Sequence, residues 1–378
     1  MKPYFILPFS ILAKPIRNAG ILSIPILLGC LISFAVFAEP STNAIKIGAL
    51  LPLTGPAATT GEQLRKAISL AVDDYAARTG VKSEVIIEDS KNDPAEGITG
   101  FRKLATLDRV NSVIVSLSGV SQAVAPIANS EKMPTFALAS APILTKPNDY
   151  ALRWFIDGMG EARTMADYLS AKGLRRVAIM HINDDYGRSL LKEFNFRAKA
   201  KGINIVSVEG FDRKTEDFRS LAFRAKKAKP DAVYFIAYGR PLGIALRQTF
   251  ESGIKVPYVT TFGLDIAGTK ELAGEAAEGL VYTSIAFGEG VPVSESTQSF
   301  TKRFNEIYHT TPSSDAALAY DLTTRLLSLG DSQASPREWV GQKIETQFGK
   351  LTVLKSLEVL APVVLKAIEN GHSTIVQP

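Results

Sequence analysis

Apolar, β-rich runs alternate with segments of helical spacing from residue 45 onward, and this alternation restricts the chain to a small set of folds. The first four runs are Ile45–Leu51, 84–88, 112–117 and 135–139. They are almost continuously hydrophobic, which is typical of strands buried on both faces of a parallel sheet. The segment after the first run carries an apolar stripe with charged residues opposite, as expected for a helix that packs on that sheet. We therefore predict an α/β fold.

A second series of the same kind begins after residue 153. RRVAIMHI, INIVSVEGF, DAVYFIAYG and VPYVTTFG are predicted strands, and a segment of helical spacing follows each of the first three. No linker separates the two series, and the chain after residue 38 exceeds the usual size of a single hydrophobic core. The pattern therefore predicts two doubly wound lobes that share one chain path.

The last section of the chain begins with a further predicted strand, EGLVYTSIAF. Helical spacing then predicts three helices, in STQSFTKRFNEIYH, DAALAYDLTTRLLSL and PREWVGQKIE. The final segments, LTVLKSLEVL and PVVLKAIENG, are rich in β-branched residues without an intervening helix. We predict that these two segments pair as a β-hairpin.

The first 38 residues have the composition of a secretory signal. They contain three basic residues and no acidic residue, and an apolar run over 21–38 ends in Ala38. Cleavage there leaves Glu39 as the first residue of an exported protein. A retained membrane anchor is the alternative, but Pro25 interrupts a run that is only about the minimum length for a membrane span. We predict a signal peptide over 1–38.

Cys30 is the single cysteine of the chain. Its context, LLGC, is similar to the lipobox of bacterial lipoproteins, in which the cysteine becomes the lipidated first residue. The following residues, LISFAVFA, are apolar, whereas a lipoprotein usually continues into a polar tether. We predict that Cys30 is removed with the signal, so that the mature protein has no disulfide and no cysteine chemistry.

The charge of the mature chain gives no indication of a nucleic-acid partner. All 38 acidic residues follow residue 38, as do all but three of the 43 basic ones, which leaves a small positive excess. The densest basic cluster, RSLAFRAKKAK, has the spacing of one solvated helix face and contains no interleaved aromatic stripe.

Polar and small residues collect where predicted strands end. TGPAATTG, SGVSQ, SAP, NDDYG and YGRP each follow a strand. Because the carboxyl ends of parallel strands form the ligand crevice in open α/β sheets, we expect a cleft between the two lobes at these loops. Helix N-termini there would offer backbone N–H groups to an anionic group.

The same loops lack the usual motifs of catalysis and cofactor binding. TGPAATTG is followed by Glu62 and Gln63 in place of the Lys-Ser or Lys-Thr of a phosphate loop, and neither GxGxxG nor GxSxG occurs. His181, His309 and His372 are far apart and none has a metal-ligand spacing. We therefore predict no cofactor, no metal site and no enzymatic activity.

Seven segments, in chain order, carry a resemblance to a known family. They are IKIGALLPLTGPAATTGE, DSKNDP before FRKLA, ASAPILT, RRVAIMHINDDYGR, DAVYFIAYG, AAEGL and ALAYD. The chain resembles the periplasmic branched-chain amino acid binding proteins, the type I solute-binding components of ABC importers. The resemblance spans almost all of the chain after the signal.

The resemblance implies two Rossmann-like lobes joined by a three-crossing hinge, with a ligand held between them as they close. On that pattern we assign 39–156 and 285–347 to lobe I, and 157–284 and 348–378 to lobe II. The implied protein is a periplasmic monomer without a cofactor, whose partners are a small-molecule ligand and an inner-membrane ABC permease.

The resemblance also implies a set of ligand-binding residues. The SGVS loop matches the site of a ligand carboxylate through backbone N–H groups, and the tyrosines match cleft positions. The residues implied are Thr60, Ser118, Gly119, Ser121, Ala139, Ser140, Tyr186, Tyr238, Phe262, Asp265 and Tyr320.

One residue departs from the family pattern in a way that affects which ligands can bind. Amino-acid-binding members place an acidic residue where this chain has Phe262, and Asp265 follows three residues later. An ammonium buried without a carboxylate costs several kcal/mol. Either Asp265 takes the role or the ligand lacks an ammonium, so amino acids, amides and small carboxylates all remain open. A ligand-sensing protein that acts through a protein partner is the alternative to import.

Overall fold

The structure, a computed structural model, describes residues 44–141, 149–155, 158–330 and 335–376. The predicted signal, with Cys30 and Ala38, lies outside these ranges. Within them, no helix has the length and apolar composition needed to cross a membrane.

The first sheet is parallel and has the strand order β2-β1-β3-β4-β5. Its strands are β1 (Ile45–Leu51), β2 (Ser83–Asp89), β3 (Ser112–Ser116), β4 (Thr135–Leu138) and β5 (Ala151–Arg153). The helices that connect them are α1 (Ala58–Thr79), α2 (Pro94–Arg102) and α3 (Ser118–Glu131). Both faces of the sheet are covered, since β1 and β3 are buried along almost their whole length. The predicted α/β fold with a parallel sheet is confirmed.

The second sheet has seven strands in the order β15-β14-β10-β9-β8-β6-β7. Five of them are parallel: β6 (Arg176–Ile182), β7 (Asn204–Phe211), β8 (Ala232–Ile236), β9 (Tyr258–Thr260) and β10 (Val281–Ile285). The helices of this series are α4 (Gly158–Ala171), α5 (Asp185–Ala200), α6 (Arg219–Lys227), α7 (Gly239–Glu251) and α8 (Thr269–Ala273). The second βα series predicted from the sequence is therefore present.

The next two helices of the chain pack on the lobe that contains the first sheet. They are α9 (Glu295–Tyr308) and α10 (Ser314–Ser328), and α10 packs along α1. Ser313 caps α10 by accepting a hydrogen bond from the Ala316 N–H at 3.2 Å. The Gln63 side chain of α1 holds the same cap, because its Oε1 accepts from the Ser313 N–H at 3.3 Å.

The prediction of a helix over PREWVGQKIE is wrong. A single 3₁₀ turn spans Pro336–Trp339 and is held by a capping box between Ser335 and Glu338. Gly341 follows with a φ of 82°, which ends the helical path. The chain continues as β11 (Lys343–Thr346), which forms a three-stranded antiparallel sheet with β12 (Gly349–Val353) and β13 (Val359–Leu360).

The predicted pairing of LTVLKSLEVL with PVVLKAIENG is also wrong. The first segment supplies both β12 and β13, which pair with each other. The second supplies β14 (Val363–Glu369), which pairs with β15 (His372–Val376) and with β10. Asn370 and Gly371 both have positive φ, as a two-residue hairpin turn between β14 and β15 requires.

These pairings bear on the division into lobes. Glu358 bridges Arg153 at the end of β5, which ties the small sheet to the first sheet, whereas β14 and β15 extend the second. We therefore propose that the third crossing lies between β13 and β14, and that residues 335–360 belong to lobe I rather than being divided at residue 348.

Candidate ligand-binding site

A cavity lies between the carboxyl ends of the strands of the two sheets. It encloses about 550 Å³, counting the space open at its mouth. Lobe I lines it with Thr60, Leu64, Asn92, Ser116, Leu117, Ser118, Gly119, Leu138, Ala139, Ser140, Phe155 and Asp315. Lobe II lines it with Asp184, Tyr186, Arg213, Tyr238, Phe262 and Ile266. We call this the main cavity.

The serine-rich wall of the main cavity comes from the turn between β3 and α3. Leu117 has a φ of 68°, a left-handed conformation that is costly for a non-glycine residue. The turn lets α3 begin at Ser118 directly after the strand, so that the first N–H groups of the helix, which lack intrahelical acceptors, lie at the cavity. This end of the cavity is suited to an anionic or hydrogen-bond-accepting group of a ligand.

Gly119 lies at a close approach of the two lobes. A Cβ at this position would come within 2.9 Å of Asp185 Oδ2, from the first turn of α5. A side chain at residue 119 would therefore require the Asp185 carboxylate to move aside.

Ser140 lies at the start of the loop after β4 and is 3% exposed. Its hydroxyl donates to Glu161 Oε2 at 3.4 Å, and its main-chain oxygen accepts from Arg153 Nη1 at 2.7 Å. Arg153 is itself buried and pairs with Glu358 at 2.8 Å. The Ser140 loop is thus fixed from both sides by buried charged groups.

Glu161 is a fully buried carboxylate that the sequence analysis did not identify. Its Oε1 accepts from Thr283 Oγ1 at 2.7 Å and from the Phe262 N–H at 3.3 Å. Together with the Ser140 bond, these contacts join α4 to the residues that follow β4 and β9 and to the middle of β10. The first turn of a helix is an ordinary position for glutamate, so nothing in the sequence distinguished Glu161 from a solvent-exposed residue.

Four aromatic rings form the opposite wall. Phe155 and Phe262 lie 5.1 Å apart, Tyr186 and Phe262 5.8 Å, and Tyr186 and Tyr238 5.6 Å, all in edge-to-face geometry. Gly263 allows this arrangement, since a Cβ there would lie 2.2 Å from the Ala237 carbonyl oxygen. The wall is rigid and apolar, as expected for a surface that contacts a hydrocarbon part of a ligand.

Asp184 organises the polar edge of that wall. Its Oδ1 caps α5 by accepting from the Gly187 N–H at 2.9 Å. Its Oδ2 accepts from the Tyr238 hydroxyl at 2.7 Å and from Arg213 Nε at 3.2 Å. Burial, together with the nearby Asp184 charge, raises the pKa of Tyr238, so the hydroxyl stays protonated and donates.

Asp315 lines the main cavity from the first turn of α10 and is 7% exposed. Its Oδ1 is buried without a hydrogen-bond partner in the described part of the chain. Burial and then the charge of Asp265 raise the pKa of Asp315 to about 7. Nothing in the sequence distinguishes this residue beyond its proximity to ALAYD.

Three of the predicted site residues do not line the main cavity. Asp265 accepts a hydrogen bond from Ser284 Oγ and lines a neighbouring cavity with Tyr282 and Lys366. Tyr320 donates to Asp74 Oδ2 at 2.9 Å, on the α1–α10 contact. Ser121 is buried within α3, one turn beyond the cavity-lining Ser118.

The other eight predicted residues lie together at the main cavity: Thr60, Ser118, Gly119, Ala139, Ser140, Tyr186, Tyr238 and Phe262. Asn92, Asp184, Arg213 and Asp315 line it as well and were not predicted. His181 does not line it, and its Nδ1 lies 3.1 Å from the Ile182 carbonyl oxygen. Among the described residues, no group of three or more His, Cys, Asp or Glu is placed to hold a metal ion.

The sequence is similar to those of known binding proteins. A family model described as "Periplasmic binding protein" matches residues 44–330. The Leu/Ile/Val/Thr-binding protein of Salmonella typhimurium is 29% identical over 281 residues, which cover 71% of this chain and 75% of that protein.

Two solved structures of similar fold were found with bound ligands. A branched-chain amino acid transporter substrate binding protein from Streptococcus pneumoniae, in complex with isoleucine, has a TM-score of 0.80 and 24% identity, and the match covers 89% of this chain and all of that one. A solute binding protein of an ABC transporter from R. palustris, in complex with benzoate, has a TM-score of 0.77 and 19% identity, covering 88% and 95%. At these identities the likeness establishes the fold alone.

Proposed function

The chain belongs to the periplasmic binding protein family, and from that premise we propose that it captures a small polar organic solute between its two lobes for an ABC importer. The solute-binding function is that of the family. The location of the solute in the main cavity, its chemical class and the closing of the lobes are our proposal.

The observation that carries the proposal is a hydrogen bond across the mouth of the main cavity. Arg213 Nη1, from lobe II, donates to the main-chain oxygen of Asn92, from lobe I, at 2.8 Å. The same guanidinium donates a hydrogen bond to the Asp184 carboxylate. That carboxylate also accepts a hydrogen bond from Tyr238 on the cavity wall. A contact of this kind forms only when the lobes are close together, so it couples closure to the arrangement of the wall.

The composition of the wall defines the class of solute. The serine loops and the N-terminus of α3 would receive a carboxylate or an amide oxygen through N–H and O–H donors. The rings of Tyr186, Phe155 and Phe262 would enclose a branched or aromatic hydrocarbon group. This combination suits an amino acid or a small carboxylic acid, which agrees with the ligands named for the relatives, Leu, Ile, Val and Thr, and for the neighbours, isoleucine and benzoate.

We further propose that the protein releases its solute unchanged to an inner-membrane permease, acts as a monomer without a cofactor and binds no nucleic acid. Export would follow cleavage near Ala38. The family supports a periplasmic location and a partnership with a permease, since its members are the binding components of ABC transporters.

Small-angle scattering and native mass spectrometry together test the proposal. Protein purified from the periplasm of its own host should retain a small molecule, which native mass spectrometry would weigh. Removal of that molecule by unfolding and refolding should increase the radius of gyration, and adding it back should restore the compact form. Micromolar binding supplies about 8 kcal/mol, enough to shift a hinge equilibrium of a few kcal/mol. A tightly bound solute without compaction would contradict closure.

A further inference from the structure

The main cavity contains a carboxylate that the proposed function leaves unexplained. Resting on that function, we propose that Asp315 selects solutes that carry a protonated amine, by receiving the ammonium group in the main cavity. The ligand class is thereby narrowed from small polar organic molecules to amines and amino acids.

The position of Asp315 is the first argument. The residue lines the main cavity together with Thr60 and Leu64 of α1 and Ile266 of lobe II. Its Oδ1 has no hydrogen-bond donor among the described residues, although the side chain is more than nine-tenths buried. Buried carboxylates are ordinarily satisfied by two or three donors. A donor is therefore missing at a position that a bound solute would reach.

The charges that face Asp315 identify that donor as a cation. On its own helix, the N-terminus of α10 favours the ionised carboxylate. From lobe II, Asp265 faces it and adds a second negative charge. The other charged side chains of the main cavity, Arg213 and Asp184, are paired with each other. From α1, Gln63 is engaged by the α10 cap and does not reach the carboxylate.

Asp265, the candidate that the sequence offered for this role, already accepts a hydrogen bond elsewhere. Its Oδ2 accepts from Ser284 Oγ, and Tyr282 lies beside it in the neighbouring cavity. Its negative charge still acts on the main cavity through Asp315. An ammonium at Asp315 would therefore be attracted by two carboxylates, while only one of them contacts it.

The arrangement predicts that ligand binding changes the number of protons bound to the protein. Whether protons are released or taken up identifies the class of ligand. The pKa of Asp315 is raised to about 7 by burial and by Asp265, so at pH 6 most of the free protein carries the proton. An ammonium ligand requires the ionised carboxylate, so its binding releases about one proton at pH 6 and weakens as the pH falls below 7. An anionic ligand that accepts a hydrogen bond from protonated Asp315 would instead cause proton uptake.

Calorimetry of the mature protein at pH 6, in two buffers of different ionisation enthalpy, measures this linkage. The probes are L-leucine, 4-methylpentanoate, which lacks its amine, and 3-methylbutylamine, which lacks its carboxylate. We expect leucine to bind at least tenfold more tightly than 4-methylpentanoate, with proton release, and the amine alone to bind with the same sign of linkage. Tighter binding of 4-methylpentanoate, or proton uptake with leucine, would overturn the assignment.

The variant Asp315→Asn should lose both the preference for the amine and the proton release. It should fold, because the amide has the size of the protonated carboxyl group. The matched control is Asp321→Asn, on the same helix: burial raises the pKa of Asp321 to about 7 as well, but its carboxylate accepts from the Gln347 N–H and does not line the cavity. The control should keep both properties. An unchanged preference in Asp315→Asn would refute the role of Asp315.

The identity of the solute that the protein retains when purified from its host distinguishes a failure of this inference from a failure of the proposed function. If that solute contains no amine, the inference fails and the function stands. If no solute is retained and none of the three probes binds, the proposed function fails and the inference falls with it.

Discussion

Arg213 and Asn92 are joined by a hydrogen bond from a guanidinium of one lobe to a main-chain oxygen of the other, at 2.8 Å. Asn92 lies in DSKNDP, where Lys91 and Asn92 both adopt positive φ, so the carbonyl group of Asn92 is presented by a turn rather than by a strand or helix. Arg213 lies in the loop after β7. The contact therefore depends on two loops that are far apart in sequence and belong to different lobes.

The variant Arg213→Ala should weaken solute binding by about tenfold. It removes one charge-assisted hydrogen bond between the lobes, worth about 1 to 2 kcal/mol. Among the described residues, it leaves Asp184 with its Tyr238 and Gly187 donors. Calorimetry with the retained solute measures the loss. Arg240→Ala is the control, because Arg240 is exposed and pairs within lobe II with Glu216 at 3.2 Å. Equal affinities of the two variants would mean that the bond does not assist closure.

The variant Ser140→Ala should weaken binding by about 1 to 3 kcal/mol if the hydroxyl bonds the solute, since a charged acceptor would lose a donor. The melting temperature of the free protein should change little, because the bond to Glu161 is long and Glu161 keeps two other donors. Ser130→Ala, at an exposed position of α3, serves as the control. An unaltered affinity would make Ser140 part of the wall without a direct role.

The variant Glu161→Ala should destabilise the protein by about 2 to 4 kcal/mol. It leaves the Thr283 hydroxyl and the Phe262 N–H buried without an acceptor, and it removes a buried side chain. Urea unfolding of the solute-free protein measures the change. Glu131→Ala, at the exposed end of α3, should stay within about 0.5 kcal/mol of the parent protein. A small effect at residue 161 would indicate that water replaces the carboxylate.

Asp321→Asn should stabilise the protein at pH 8 and should stabilise it clearly less at pH 5. The carboxyl group has a pKa of about 7 in the folded protein, raised by burial from an ordinary value near 3.8. The folded state therefore binds the proton more tightly than the unfolded state, so its carboxylate lowers stability as the pH rises between those two values. The denaturation midpoint at each pH tests this, with the exposed Asp73→Asn as the control. A stabilisation of equal size at both pH values would exclude titration as the cause.

The secreted protein should begin at Glu39 and carry no lipid. The apolar run before it ends in Ala38, and the residues that follow are polar. Intact-mass measurement of protein from the host periplasm gives the N-terminus directly. A mass corresponding to a diacylated Cys30 would show instead that the lipobox is used.

Much of the fold follows from local pattern. The apolar runs predicted β1 to β4 and β6 to β10, because strands of a parallel sheet that is covered on both faces are mostly apolar. The order of the loops identified the family, and the comparison with known proteins confirmed that resemblance. The errors lie at the C-terminal end, where short β segments can pair with several neighbours. LTVLKSLEVL folds on itself, with β13 paired to β12, whereas β14 pairs with β10 of the second sheet.

The sequence by itself determined which loops lie at the carboxyl ends of the strands, and hence eight residues of the cavity wall. Only the tertiary structure decided which charged groups face the cavity. Asp265 and Asp315 are both acidic residues near helical turns, and nothing local distinguishes them. The packing of α10 on α1 brings Asp315 to the main cavity, while the turn after β9 directs Asp265 to Ser284. Such choices depend on contacts between segments far apart in sequence, which local patterns do not encode.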